Sequence, residues 1–266
     1  MSEVSEGNMT FWEHLDELRK VIFRASIAVL LIAVVAFLNK DILFEIVLAP
    51  QHSDFITYRL ICRLGEWLNM PSICPDAFQS ELINTQLAAQ FLIHISVSLY
   101  AGLLIASPYI IYLLFSFIKP ALHANERRHS GRIITASFVL FFIGVLLSYF
   151  LIFPLSFRFL ATYQVNELVK NTITLSSYIS TLTILSLMLG AVFEIPILAY
   201  FFAKLGFINT NILKKYRRHA LVVILIIAAF ITPTGDALTL MLVSAPMYLL
   251  YELSIAIVKR TKAASL

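Results

Sequence analysis

Six long apolar segments constrain the fold of this chain more than any other feature. They lie at 21–38, 88–118, 133–153, 178–203, 220–231 and 237–258. About 20 apolar residues in a helix span the hydrocarbon core of a bilayer. Only 14% of the residues are charged, whereas a soluble domain carries about a quarter. We therefore predict an all-α membrane protein with six transmembrane helices, forming a single membrane domain over residues 1–266.

The fifth apolar segment is shorter than a full span. Its 12 residues would reach about 18 Å at a rise of ~1.5 Å per residue, against a hydrocarbon core of about 30 Å. Either this helix is short and the bilayer thins around it, or the fifth and sixth segments form a re-entrant pair. We expect the last two helices to be short spans.

Lysine and arginine set the expected orientation. With the N-terminus in the cytoplasm, the inner ends and loops hold 15 of these residues and the outer ones hold 5. Such an excess marks the cytoplasmic side, so we predict both termini inside and a multi-pass location in the cytoplasmic (inner) membrane. The net charge of +4 is explained by this placement, and we expect lipid rather than nucleic acid as the surrounding partner.

The outer loop at 39–87 carries both cysteines of the chain. Apolar residues recur in it at helical spacing, which predicts a partly helical loop. Cys62 and Cys74 lie in the compartment where disulfides persist. We predict a Cys62–Cys74 bond, and the alternative is two free buried thiols.

The N-terminal residues 1–20 are predicted to form a cytoplasmic amphipathic helix. The string from Thr10 to Glu13 is a capping box, which starts a helix at Phe11. Apolar side chains then share one face of the helix and charged side chains the other. Asp16 and Lys20 form an i,i+4 pair that stabilises the helix by only a few tenths of a kcal/mol.

Several short motifs together resemble one family. The motifs are His14-Leu-Asp-Glu17-Leu-Arg19, Phe117-Ile-Lys-Pro120, Asn125-Glu126-Arg-Arg128, Phe153-Pro154, Phe193-Glu194-Ile-Pro196 and Thr232-Pro233. In order and spacing they are similar, from about residue 10 to 257, to the TatC family, the core membrane subunit of the twin-arginine protein translocase. Residues 84–90 and the longer outer loop depart from the family pattern, so the packing of the outer side is less well predicted.

The resemblance implies a receptor for signal peptides that bear two consecutive arginines. A carboxylate accepts the planar fork of a guanidinium group bidentately. Glu17 and Glu126 match the family's signal-contacting positions, and the resemblance implies signal-peptide binding also for His14 and Arg19, which lie in the same motif as Glu17. The alternative is that Glu17 pairs with its own Lys20 and that Glu126 pairs with a neighbouring basic residue.

Glu194 and Pro196 form a second candidate site. A carboxyl group in the middle of a membrane costs about 2.5–3.5 kcal/mol on insertion scales, so Glu194 should face the bundle or a polar cavity. Pro196 removes a backbone donor and weakens the helix there. The resemblance implies contact with a partner's transmembrane helix. The alternative is a protonated glutamate that forms a hydrogen bond within the packing.

The implied assembly includes TatA/TatB-type single-span proteins and further copies of the chain. The implied function is export of folded proteins, driven by the proton-motive force. The sequence lacks a Walker A string and paired histidines at ligand spacing, so we expect no enzymatic activity, no cofactor and no metal site. A secondary transporter of a small solute remains the alternative, and it would predict matching broken helices in the two halves. An intramembrane enzyme is disfavoured.

Overall fold

The computed structural model describes residues 11–70, 81–118, 130–164, 166 and 171–263. Helices dominate this part of the chain, and a pair of two-residue strands accompanies them. The helices are α1 (Phe11–Leu38), α2 (Lys40–Leu48), α3 (Ile56–Trp67), α4 (Ala89–Ile118), α5 (Ser130–Leu147), α6 (Phe153–Thr162), α7 (Leu175–Val192), α8 (Ile195–Lys204), α9 (Thr210–Lys215), α10 (Arg217–Ile231) and α11 (Ala237–Ala263). The strands are β1 (Leu82–Ile83) and β2 (Ile173–Thr174), paired in parallel.

Five stretches of the described chain are long and apolar enough to cross a membrane. They are Trp12–Leu38, Ala89–Phe117, Gly131–Thr162, Leu175–Lys204 and Ala237–Arg260. The sixth predicted segment is α10, which is apolar but has only 15 residues. The all-helical class and the positions of the apolar segments are therefore confirmed.

The length of the last helix corrects one prediction. We expected the last two helices to be short, which holds for α10 and is wrong for α11. Helix α11 has 27 residues, because it continues through Lys259 and Arg260, which are good helix formers, and no glycine or proline stops it there. Pro246 lies inside this helix without ending it.

Contacts divide the chain into two compact units, and each is described by itself. The first consists of residues 1–40 and 94–138, and the second of 41–93 and 139–266. In the first unit, α1 and α4 cross closely at Gly102. A Cβ atom added there would lie 2.7 Å from the Val29 carbonyl oxygen and 3.0 Å from the Ala33 Cβ, so only glycine permits this approach.

In the second unit, α5 and α7 cross at two reciprocal glycines. A Cβ atom added to Gly144 would lie 2.8 Å from the Leu189 carbonyl oxygen, and one added to Gly190 would lie 2.8 Å from the Phe141 ring. Both glycines are buried. The absence of a side chain on each helix therefore sets the distance between the two helices, as small residues do in membrane bundles.

A π-helical segment, Ser148–Ile152, interrupts the long helix between α5 and α6. A π turn leaves backbone carbonyl groups that the α-helical pattern would have satisfied. The Thr57 hydroxyl, on α3, donates to the Phe150 carbonyl. The Tyr58 hydroxyl donates to the Pro154 carbonyl at 2.9 Å, and Tyr58 is 2% exposed. Helix α3 is thus fixed to this interruption.

The loop at 39–87 contacts the rest of the second unit at further points. The Tyr149 hydroxyl donates to the Ile46 carbonyl at 2.5 Å, and the Tyr178 hydroxyl donates to the Val47 carbonyl at 3.1 Å. Strand β1 pairs with β2 through Leu82 and Ile173. Helices α2 and α3, with a 3₁₀ turn at Ala49–Gln51 between them, confirm the prediction that this loop is partly helical.

Asp236 starts α11. Its Oδ1 accepts the backbone N–H of Thr239 at 2.7 Å, and its Oδ2 accepts the Thr234 hydroxyl at 2.6 Å. Partial burial raises the pKa of the Asp236 carboxyl, but the hydrogen bonds from Thr234 and Thr239 outweigh it and hold the pKa below its usual range. Asp236 therefore caps the helix as a carboxylate.

The crossing of α5 and α7 gives a stability prediction. We expect Gly144→Ala to destabilise the protein by about 1–3 kcal/mol, because the added methyl group must displace the backbone of α7. Thermal unfolding of the detergent-solubilised chain measures this. Gly131→Ala, on the same helix, is the matched control, since a Cβ atom there meets no described atom within 4 Å. Equal unfolding temperatures for the two variants would contradict the close crossing.

Candidate functional site

The first turns of α1 hold the residues predicted to bind a signal peptide. Glu17 accepts a hydrogen bond from the Lys20 ammonium group at 2.9 Å, and Asp16 lies 3.6 Å from the same group. The side chains of Glu17 and Lys20 are 45% and 48% exposed. The predicted pairing of Asp16 with Lys20 is confirmed. Glu17 also forms the local pair with Lys20 that we gave as its alternative.

An aromatic contact joins the start of α1 to the end of α4 within the first unit. The His14 ring stacks on the Phe117 ring, with centroids 4.2 Å apart and planes inclined by 21°. Stacked rings at this distance stabilise a contact by about 0.5–1.5 kcal/mol beyond the buried area. The beginning of the first long helix and the end of the second are therefore neighbours, and His14 is part of that contact.

Only some of the predicted peptide ligands can be located. Arg19 is exposed on α1, about 160° around the helix from Glu17 at ~100° per residue. Its Cα–Cβ bond thus points away from the side that bears Glu17. Glu126 lies outside the described residues. The shared binding site of Glu17 and Glu126, and the roles of His14 and Arg19, stay predictions.

The second predicted site is a break between α7 and α8 in the second unit. Helix α7 ends at Val192, Phe193 and Glu194 form a turn, and α8 begins at Ile195. The Glu194 carbonyl accepts the N–H groups of Ile197 and Leu198, both at 3.0 Å. The sequence correctly predicted a weakened helix at this point.

Proline explains the break. Pro196 is buried in the first turn of α8, where a missing N–H donor is tolerated and the fixed φ angle suits a helix start. The Glu194 side chain is half-buried, and its Oε1 atom has less than 1 Å² of exposed surface. Helix α8 then packs along α11. The carboxyl group thus lies at an interruption of a long apolar helix.

Sequence analysis missed an ion pair that joins α10 to α11. The Arg217 guanidinium donates to the Glu252 carboxylate at 2.6 Å, and Glu252 is 32% exposed. The Tyr251 hydroxyl donates to the Leu213 carbonyl at 2.7 Å, so α9 is held as well. The available signal was a single acidic residue late in the last apolar segment, opposite a basic stretch.

Cys62 lies half-buried on α3. The described part of the chain has no free cysteine, and Cys74 lies outside it. The pairing of Cys62 with Cys74 therefore stays a prediction.

Comparison with known proteins agrees with these features. The family model for TatC, Sec-independent protein translocase protein, matches residues 13–246. The Sec-independent protein translocase protein TatC of Blattabacterium sp. subsp. Periplaneta americana is 37% identical over 255 residues, covering 95% of this chain and 96% of the relative. That of Carboxydothermus hydrogenoformans is 32% identical over 254 residues, covering 96% and 94%.

A solved structure shares the fold as well as the sequence. The crystal structure of the twin arginine translocase receptor TatC superposes with a TM-score of 0.73 at 32% sequence identity, covering 94% of this chain and 100% of that chain. The family model and the two relatives span nearly the whole chain, which confirms the resemblance drawn from the short motifs. The chain belongs to the TatC family of Sec-independent protein translocase proteins.

Proposed function

We propose that this chain binds twin-arginine signal peptides as the core subunit of a translocase that exports folded proteins. Its family consists of translocase components in the inner membrane rather than enzymes, and a solved relative is described as the twin arginine translocase receptor. The observation that carries the proposal is the exposed carboxylate of Glu17, close along α1 to the His14–Phe117 contact. The small-solute transporter alternative is not favoured.

The existing partner of Glu17 is easily exchanged. An exposed pair between residues three apart on one helix contributes about 0.2–1 kcal/mol. A charge-assisted hydrogen bond from an arginine contributes about 1.5–3 kcal/mol. We expect a peptide arginine, which binds a carboxylate bidentately, to displace the single Lys20 contact.

Two consecutive arginines need a second acidic group. Glu126 follows Phe117 by nine residues along the chain, and Phe117 stacks on His14. Helix α4, which precedes Glu126 in the chain, thus ends next to the turn that bears Glu17, which supports a shared site. We assign the two carboxylates to the two guanidinium groups.

We expect Glu17→Ala and Glu126→Ala each to weaken binding of a twin-arginine peptide ten- to hundred-fold, because each removes a charge-assisted hydrogen bond. Fluorescence anisotropy of a labelled peptide with the purified full chain measures the affinity. A twin-lysine peptide should bind more weakly to the unmodified chain, since an ammonium group lacks the planar fork.

The matched control is Asp16→Ala. It removes one acidic residue from the same turn and the same Lys20 contact, but from a side chain about 100° around the helix. Its peptide affinity should stay within about two-fold of the unmodified chain, as expected for an exposed pair. Unchanged affinity in the double variant of Glu17 and Glu126 would refute the assignment.

We further propose six spans, both termini inside, and an outer loop closed by a Cys62–Cys74 disulfide, in a single membrane domain. The excess of inner lysine and arginine supports this orientation, and α10 is the sixth span. In spheroplasts, a membrane-impermeant maleimide should label these cysteines only after reduction. A cysteine placed at Lys259 in a cysteine-free chain is the control and should stay unlabelled. Labelling without reduction would argue against the bond, and labelling at Lys259 against the orientation.

The break at Glu194 and Pro196 is the proposed contact for the transmembrane helix of a TatA/TatB-type partner. The half-buried carboxyl group at an interrupted helix supports this, because ionisable residues within membrane segments mark functional sites. The proton-motive force is the proposed energy source. A photo-crosslinker at Leu198, which is 50% exposed on α8, should capture such a partner, and one at Leu249, 69% exposed on α11, should not. Equal capture at both positions would contradict this contact.

A further inference from the structure

The chain has a 41-residue run without an acidic residue, from Ile195 to Gly235. This run contains five cationic residues, namely Lys204, Lys214, Lys215, Arg217 and Arg218. All residues of the run are described by the structure. We name the part from Leu205 to His219 the basic turn, because it connects α8 to α10 through the short helix α9.

One cation of the basic turn is already neutralised. The Arg217 guanidinium lies 2.6 Å from the Glu252 carboxylate of α11, and the Tyr248 hydroxyl donates to the same carboxylate at 3.4 Å. The Tyr251 hydroxyl binds the Leu213 carbonyl. These contacts hold the backbone of the basic turn against α11. The other cations of the basic turn are therefore attached to a backbone that is held in place.

Three other cations of the basic turn have exposed side chains. Lys214, Lys215 and Arg218 are all exposed, and none of them takes part in the ion pairs found among the described residues. The basic turn thus presents three uncompensated positive charges within five residues of sequence. A surface with this charge attracts anionic groups.

Exposed apolar side chains accompany these cations. Phe207 is 72% exposed and Tyr216 is 49% exposed. A soluble acidic partner would not require exposed aromatic rings beside its ligands, whereas a membrane interface accommodates both kinds of side chain. The combination favours lipid over a soluble anion.

The short helix α10 brings lipid headgroups to the cations. Its 15 residues reach about 22 Å at a rise of ~1.5 Å per residue, less than the hydrocarbon core of about 30 Å. A bilayer thins around a short span. The headgroup phosphates around α10 are therefore drawn towards its first turn, where Arg218 lies.

We propose that the basic turn is a binding site for anionic phospholipid headgroups. Lys214, Lys215 and Arg218 bind the phosphates, and Phe207 and Tyr216 lie at the boundary with the acyl chains. Glu252 limits the site, because it neutralises Arg217. This inference concerns the lipid around the chain and does not depend on signal-peptide binding.

Native mass spectrometry of the detergent-purified full chain tests the site. The chain is titrated with phosphatidylglycerol and, separately, with phosphatidylcholine. We expect preferential binding of phosphatidylglycerol, and Lys214→Gln/Lys215→Gln should weaken it about ten-fold or more, since each cation near an anionic surface contributes about a five-fold factor.

Two further variants make the test specific. Lys259→Gln/Arg260→Gln removes the same charge from the end of α11, where both residues are exposed, and should change the affinity less than two-fold. Glu252→Gln removes the carboxylate that pairs with Arg217 and should tighten binding by up to about five-fold. Circular dichroism of each variant confirms that it is folded.

Three results would overturn the proposal. They are equal binding of the two lipids, equal losses in the two double variants, and displacement of phosphatidylglycerol by millimolar inorganic phosphate, which would indicate a site for free phosphate. A weaker affinity in Glu252→Gln would show instead that Arg217 contributes to lipid binding only while it is held by the ion pair, and would remove the assigned role of Glu252.

Discussion

The hydrogen bond from the Thr57 hydroxyl to the Phe150 carbonyl meets the main constraint on a membrane protein. In lipid, a backbone group released from a helix must find its partner within the protein. The π-helical segment Ser148–Ile152 interrupts the α-helical hydrogen-bond pattern. The hydroxyl groups of Thr57 and Tyr58, in the outer loop, donate to backbone carbonyl groups at this interruption. The interruption and the loop are therefore joined directly by hydrogen bonds from α3.

Further backbone contacts give the outer loop a defined structure despite its length. Hydroxyl groups from Tyr149 and Tyr178 bind carbonyl oxygens of α2 and its end, and β1 pairs with β2. None of these contacts needs a charged group. The charged residues that do form ion pairs in the described part of the chain lie elsewhere, at the start of α1 and between α10 and α11. The contacts of Tyr149 and Tyr178 with this loop are thus hydrogen bonds between neutral groups.

Sequence patterns predicted the features that depend on local chemistry. Apolar length predicted the positions of the apolar helices, and Pro196 predicted the weakened helix after Val192. The sequence patterns did not predict the π-helical segment, because its side chains continue an apolar stretch of the sequence. The Thr57–Phe150 contact joins residues 93 apart, and no local pattern encodes such a pairing. The length of α11 was missed because lysine and arginine end a hydrophobic pattern without ending a helix.

Two acidic residues show why an observed ion pair does not by itself decide a function. Glu252 pairs with Arg217 between two helices at 2.6 Å and is 32% exposed, so losing its partner would leave a partly buried charge and loosen α10. Glu17 pairs with Lys20 within one turn of one helix and is 45% exposed, so losing that partner costs little. The Glu252 carboxylate therefore has a structural role. The Glu17 carboxylate has only this weak partner, which is the property that the proposed exchange for a peptide guanidinium group requires.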